Sequence, residues 1–269
     1  MVKFFVATDT QLGMTDNFLS RGDVKEYAEK WISASGFSQE QFLNHKDNVG
    51  LRKELRNLRK VVSIANEQKP DFLVITGDIL DDIHDDYSKE KFKNEIENLD
   101  DSIKLYLVPG NHDVGEDPLV PSRTGIARYK ELFGKDYYSF EIKGILFVVI
   151  NSSLFMAPKV LQSEFLQQNR YIQELIKAEV PKKPIIIFSH HPPYLDKQFP
   201  AEFGKKTKQE SDGYWEFPIE TRESLFEIIN GKNVMAFFTG HLHENKITRF
   251  KNIDIIVTSA IGLPLGNDP

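Results

Sequence analysis

A chain of 269 residues, 40% hydrophobic and 28% charged, is long enough to bury the core of one large globular domain and has no disordered or fibrous bias. Its net charge of −6 argues against a nucleic-acid partner, which needs a basic face; a small phosphorylated substrate stays open, because the charge of a bound metal outweighs the global balance. The lack of cysteine excludes disulfides and thiolate chemistry, and no apolar stretch is long enough for a membrane span.

Met1 leads straight into an apolar run with no signal peptide, so a cytoplasmic location is expected, a removed targeting segment being left open. The first strand is predicted over Lys3–Thr8, where consecutive Phe4, Phe5 and Val6 fit burial on both faces, and it delivers Asp9-Thr10-Gln11. Gly13 to Lys46 is long and irregular, as functional rims are, with Trp31, Phe37 and Phe42 as its own anchors. Leu51, Leu55, Leu58, Val62 and Ala65 recur at helical spacing and place a helix over Asn48–Gln68. Pro70 ends it before a strand Phe72–Thr76, which runs into Gly77-Asp78. Of the acidic run Asp78, Asp81, Asp82, Asp85 and Asp86, only Asp78 stands at the strand end. The others are expected to cap and solvate a helix over Ser88–Leu99, and His84 to lie on the surface.

A strand over Lys104–Val108 is broken by Pro109-Gly110, which presents Asn111-His112-Asp113 on a loop. A helix over Thr124–Phe133 precedes strands Tyr137–Ile142 and Ile145–Ile150, joined by the hairpin turn Lys143-Gly144. After Asn151-Ser152-Ser153, a helix over Gln162–Ala178 leads to strand Pro184–Ser189 and then His190-His191-Pro192. Tyr194 to Glu216 is a second irregular insertion, mixing aromatic side chains with Lys197, Lys205, Lys206 and Lys208; it reads equally well as a holder of a phosphorylated ligand and as a self-packed loop. A helix over Pro218–Ile229 and a strand Val234–Thr239 close the β-α alternation at Gly240-His241-Leu242-His243. A final hairpin is predicted from Asn245–Phe250 and Ile253–Ser259. No repeat, linker or low-complexity segment divides the chain, so one domain over 1–269 is expected.

Five strand ends therefore deliver oxygen or imidazole donors, at the carboxyl side where open α/β sheets bind ligands. One such residue would be a turn or cap; five strand ends holding most of the histidines point to one or two divalent ions of the Mn, Fe or Zn kind.

The order Asp9-Thr10-Gln11, Gly77-Asp78, Gly110-Asn111-His112-Asp113, His190-x-Pro192 and Gly240-His241-x-His243 resembles the calcineurin-like metallophosphoesterases, whose pattern is D-x-H, G-D, G-N-H-[DE], H and G-H-x-H. The match spans nearly the whole chain. The departure is Gln11, where most members carry His. With Phe133-Gly134-x-Asp136-Tyr137-Tyr138-Ser139-Phe140, Asn151-Ser152 and Ser259-Ala260-Ile261-Gly262, that departure is similar to the subfamily of calcineurin-like phosphoesterase domain-containing protein 1.

The resemblance implies an α/β fold of the four-layer α/β/β/α sandwich type. It implies one metal on Asp9, Gln11, Asp78 and His243 and a second on Asp78, Asn111, His190 and His241, with Asp78 bridging. The ions would be Mn, Fe or Zn, with Mg also admissible. His112 would be catalytic without being a ligand, and Asp113 would orient its imidazole. The implied activity is hydrolysis of phosphate monoesters, with a phosphoprotein or small phosphoester as partner and a serine/threonine protein phosphatase as the subfamily's suggestion. A phosphodiesterase acting on cyclic nucleotides or lipid head groups, or a metal-poor scaffold on the same fold, is the alternative. The family usually continues with further strands, so either the tail is short or strands are missing after Pro269.

Overall fold

The computed structural model describes residues 1–14, 16–17, 51–117, 120–178, 183–196 and 215–262. In chain order these form β1 (Phe4–Ala7), α1 (Leu51–Gln68), β2 (Phe72–Thr76), α2 (Asp86–Ile96), β3 (Lys104–Val108), the single turn α3 (Asn111–Val114), β4 (Gly115–Asp117), β5 (Val120–Pro121) and α4 (Arg123–Phe133). There follow β6 (Tyr138–Ile142), β7 (Ile145–Val149), the short α5 (Ser153–Met156), α6 (Gln162–Ala178), β8 (Ile185–Phe188), α7 (Ile219–Ile228), β9 (Val234–Thr239), β10 (Lys246–Phe250) and β11 (Ile253–Val257).

The strands make two principal sheets. One is parallel, in the order β1-β2-β3, with Phe4 opposite Phe72 and Val74 opposite Tyr106. The other has the order β10-β11-β9-β8-β7-β6, parallel through β11, β9, β8 and β7 and closed at each edge by an antiparallel hairpin partner. The strand period of two decides what fills each layer. On β2, Phe72 and Val74 turn toward the second sheet, and Leu73 and Ile75 turn toward the helices. On β7, Phe147 and Val149 face the first sheet while Leu146 and Val148 face outward to α6 and α7. The middle layer is aromatic: Phe4 stacks on Phe72 at 5.0 Å, and Phe72 meets Phe147 edge-on, also at 5.0 Å. Leu58 and Ala65 of α1, Phe92 of α2 and Ile126 and Tyr129 of α4 cover the outer face of the first sheet. Ile172 and Ile176 of α6 with Leu225 and Phe226 of α7 cover the second. This is the expected α/β/β/α sandwich, and every apolar strand run read from the sequence is a strand.

Differences lie at ends and in short pieces. Helix α2 starts before Ser88 because the Asp85 carboxylate accepts from the backbone N–H groups of Tyr87 and Ser88 and caps it there. The turn α3 replaces the loop expected at Asn111–Asp113, and neither the β4–β5 hairpin nor α5 was foreseen. Trp31, Phe37 and Phe42, and Lys197, Lys205, Lys206 and Lys208, lie outside the described residues. No helix among the described residues is long and apolar enough to cross a membrane.

Candidate metal centre

The two sheets bring their carboxyl ends together at one rim. The ends of β1, β2 and β3 supply Asp9 and Gln11, Asp78, and Asn111 to Asp113; those of β8 and β9 supply His190 and His191, and His241 and His243. Backbone hydrogen bonds lash these ends to one another: Asp9 N–H to Gly77 O (3.0 Å), Gln11 N–H to Asp78 O (2.8 Å) and Gly240 N–H to His190 O (2.9 Å).

The local backbone is strained. Asp9, Gln11, Asp78, His241 and His243 all have left-handed φ, between 37° and 71°. They are five of the eight non-glycine residues so placed among the described residues, whereas turns elsewhere account for only three. Each such position costs about 1–3 kcal/mol, so their concentration at one rim marks a functional site. The glycines of the motifs serve close approach. A Cβ on Gly110 would lie 2.1 Å from Asp78 Oδ1, and one on Gly240 would lie 1.9 Å from Thr8 Oγ1. Gly240 is therefore required by packing, and the left-handed turn beside it falls on His241 and His243.

Hydrogen bonds then choose which atoms point inward. The Thr8 hydroxyl (2.5 Å) and the His241 backbone N–H (3.0 Å) donate to Asp9 Oδ2, leaving Oδ1 facing His243 Nε2 at 3.2 Å and His190 Nε2 at 3.9 Å. The His112 N–H donates to Asp78 Oδ1 at 3.0 Å, and Asp78 Oδ2 lies 3.1 Å from His190 Nε2 and 3.5 Å from Gln11 Nε2. His190 donates Nδ1–H to Thr76 O at 2.9 Å, which leaves Nε2 as the nitrogen turned into the site. Asp9 Oδ1, Gln11 Oε1, Asn111 Oδ1 and His190 Nε2 are all buried without a hydrogen-bond partner. An unsatisfied buried polar atom costs about 1–3 kcal/mol, and four on strand ends of one rim are accounted for if they complete their coordination on a shared ion. Carboxylate, amide and imidazole donors in that proportion suit divalent transition ions. The residues present thus fit metal, and Asp9, Asp78 and His190 each offer a ligand atom within 4.8 Å of the others.

The electrostatics run the same way. Burial works against the Asp9 carboxylate, but the rings of His190 and His243 outweigh it and pull the group below the usual carboxylate range. Asp78, also opposed by burial, is drawn far lower by His190 and His112. Burial disfavours the His190 cation, yet Asp78 and Asp9 push the ring up to about 9.

The surroundings of His112 differ from expectation. Its Nδ1 donates to Asp81 O at 2.8 Å, with Asp81 Oδ1 at 3.4 Å, and the Asn17 amide donates to Asp81 Oδ2 at 2.7 Å. Asp81, read from the sequence as a cap, is therefore the residue that orients the imidazole. Burial lowers the His112 pKa, and the carboxylates of Asp78 and Asp81 more than reverse that. The Asp113 carboxylate, expected on His112, accepts instead from the backbone N–H groups of Gly110 (2.9 Å), Ile79 (3.0 Å) and Leu80 (3.2 Å). It ties the loop after β2 to the loop after β3. Burial, helped by Asp78, pushes its carboxyl up to about 7 against those donors. Sequence reasoning also passed over Ser152, whose hydroxyl lies 2.8 Å from His191 Nδ1. The one sequence signal for Asp81 was its place on the turn just after Asp78. Of the remaining acids, Asp82 and Asp86 are exposed, Asp86 pairing with Lys89 and Arg128, and His84 is on the surface as read.

Fold and site together define a dimetal-type phosphoesterase, and comparison with known proteins agrees. The chain belongs to the calcineurin-like phosphoesterase family, whose model matches residues 2–245. It is accordingly a metallophosphoesterase, a phosphoric ester hydrolase of a family that works with two metal ions. It is 28% identical to "Serine/threonine-protein phosphatase CPPED1" of Pongo abelii, over 99% of this chain and 77% of that protein. With the protein of the same name from Rattus norvegicus it shares 30% identity over 80% of this chain and 67% of that one. Its fold is also that of a dimetal phosphatase from Danio rerio, with a TM-score of 0.57 and 16% identity, covering 97% of this chain and 88% of that chain.

Proposed function

We propose that this chain hydrolyses phosphate monoesters, with phosphorylated serine or threonine side chains of proteins as its substrate class, on one domain spanning 1–269. The observation that carries the reading is the set of four buried, unpartnered donor atoms on Asp9, Gln11, Asn111 and His190. Asp9, Gln11, Asp78 and His243 are assigned to one ion; Asp78, Asn111, His190 and His241 are assigned to the other. Asp78 is the shared ligand, since Oδ2 faces both His190 and Gln11. When bound, two divalent ions of Mn, Fe or Zn, or of Mg, supply the positive charge and the acidified water that this chemistry needs near neutral pH. Two carboxylates among the ligands leave the centre positive, which favours a monoester dianion over a diester monoanion. His112, anchored through Nδ1 on Asp81, keeps Nε2 for a proton transfer to the leaving oxygen. The phosphoprotein substrate is supported by the relatives, which are named serine/threonine-protein phosphatases.

Metal analysis combined with parallel assays on a phosphate monoester and a diester tests this. Two ions per chain and faster turnover of the monoester are expected. Faster turnover of the diester would move the assignment to a phosphodiesterase, and a chain that took up no metal and turned over neither would be a scaffold. His112→Ala should keep both ions and lose about 10²–10⁴-fold in turnover, the usual contribution of a general acid; metal lost in parallel with activity would make His112 a ligand.

A further inference from the structure

Asn151 and Ser152 follow β7 and are not among the residues assigned to metal. Asn151 is held through its backbone and its side-chain nitrogen. Its N–H donates to Gln168 Oε1 (2.7 Å), its carbonyl accepts from Gln168 Nε2 (3.0 Å), and its side-chain amide donates to Asp136 Oδ2 (3.1 Å). Asp136 in turn pairs with Lys130 at 2.9 Å. This buried frame holds Ser152 in one place. The Ser152 hydroxyl has two partners: it accepts from the backbone N–H of His191 at 3.0 Å and lies 2.8 Å from Nδ1 of the same residue. A hydroxyl has one proton to give, and a backbone N–H can only donate. Were Nδ1 to carry the ring hydrogen, the hydroxyl would accept from both groups and its own buried proton would have no acceptor among the described residues, so the Ser152 proton goes to His191 Nδ1. That makes Nδ1 the lone-pair nitrogen and places the ring hydrogen on Nε2.

His191 is buried, with its ring 4.3 Å from that of His241 and 5.0 Å from that of His190. With those two it forms a trio of imidazoles whose nitrogens lie within 4.8 Å of one another, so by position it passes for another ligand. Its tautomer says otherwise, because an Nε2 that carries hydrogen has no lone pair to offer. The neighbouring His190 is set the other way: Nδ1–H is held on Thr76 O, so Nε2 is the nitrogen on which metal would replace the proton. Two adjacent rings are thus fixed through opposite bonds at Nδ1, one leaving Nε2 to ligate and one leaving Nε2–H to donate. His191 Nε2–H has no hydrogen-bond partner among the described residues.

We infer that His191 is a substrate-binding residue, donating Nε2–H to a non-bridging oxygen of the phosphate monoester, and that Ser152 is the positioning residue that sets its tautomer. The inference rests on the metal-site reading above and adds to it a neutral donor that stands outside the ligand set.

Histidine-selective ¹⁵N NMR of the metal-free protein reads the tautomer directly. The His191 pattern should be Nε2–H in the parent chain and should turn mixed in Ser152→Ala; an Nδ1–H pattern in the parent overturns the inference. Calorimetry of inorganic phosphate binding to the metal-loaded chain gives the second reading. His191→Ala and Ser152→Ala should each weaken phosphate about tenfold with two ions retained, the effect of losing one hydrogen bond to a charged group. His191→Gln, which restores an amide donor, and Ser152→Thr, which keeps the hydroxyl should alanine upset folding, should recover part of it. Unchanged phosphate affinity in His191→Ala, or loss of an ion from it, refutes the donor role. A parent chain that binds neither metal nor phosphate would instead overturn the functional reading and this inference with it.

Discussion

Replacing Asp113 separates two roles that the sequence could not tell apart. If the carboxylate oriented His112, Asp113→Ala would fold normally and turn over slowly. The structure gives it a different task, as the acceptor that joins the N–H groups of Ile79, Leu80 and Gly110, all three residues being buried. Alanine leaves three buried donors without a partner. At about 1–3 kcal/mol each the cost is roughly 3–9 kcal/mol, less whatever water entering the vacated space restores. Against a total stability of about 5–15 kcal/mol, that brings the variant to the edge of unfolding. Asparagine keeps one carbonyl oxygen and should lose about half as much. Ile79 directly follows Asp78 and Gly110 directly precedes Asn111, so the surviving fold should also hold metal less tightly. Urea unfolding followed by circular dichroism, on metal-free and metal-loaded protein, gives the stabilities. An alanine variant within about 1 kcal/mol of the parent would refute the clamp, because even one orphaned donor costs that much.

Three further outcomes are expected. Asp78→Asn should lose more metal than any other single ligand change, since the amide keeps the shape but removes the anion shared by both ions; elemental analysis showing two tightly held ions in that variant would end the bridge assignment. Gln11→His should tighten the first ion and shift its preference from Mn, Fe or Mg toward Zn, an imidazole being a softer donor than the buried Gln11 amide oxygen. Titration of metal-free protein measures it, and two equal affinities unchanged by the substitution would remove Gln11 from the coordination sphere. The third outcome concerns pH. His190 is raised to about 9 in the folded chain, so its contribution to the stability of metal-free protein is complete below about 6.5 and is lost as pH climbs through about 9. Metal takes the place of that proton, so loaded protein and metal-free His190→Gln should lack the decline; denaturant melts at pH 7.5 and at about 9.5 that fell equally in all three would contradict the assignment.

Much of the architecture was legible because the signals are local. Short continuous apolar runs such as Phe72–Thr76 and Ile185–Phe188, flanked by Gly or Pro, read as strands buried on both faces. The residues at those ends, Asp9, Gln11, Asp78, Asn111, His190, His241 and His243, are ones the structure gathers at a single rim. What each side chain does there was decided by packing between segments far apart in the chain. His112 meets Asp81 across 31 positions, Asp113 meets Ile79 across 34, and Ser152 meets His191 across 39. No periodicity or spacing rule encodes such pairs. A carboxylate beside a histidine in sequence is as free to turn toward backbone N–H groups as toward the ring, and only the closed sandwich puts the donors in place. The left-handed φ of Asp9, Gln11, Asp78, His241 and His243 belongs to the same class. Aspartate and histidine enter that region more readily than most side chains, but their positions in the sequence do not require it, and it persists because two sheets meeting at one rim hold it there.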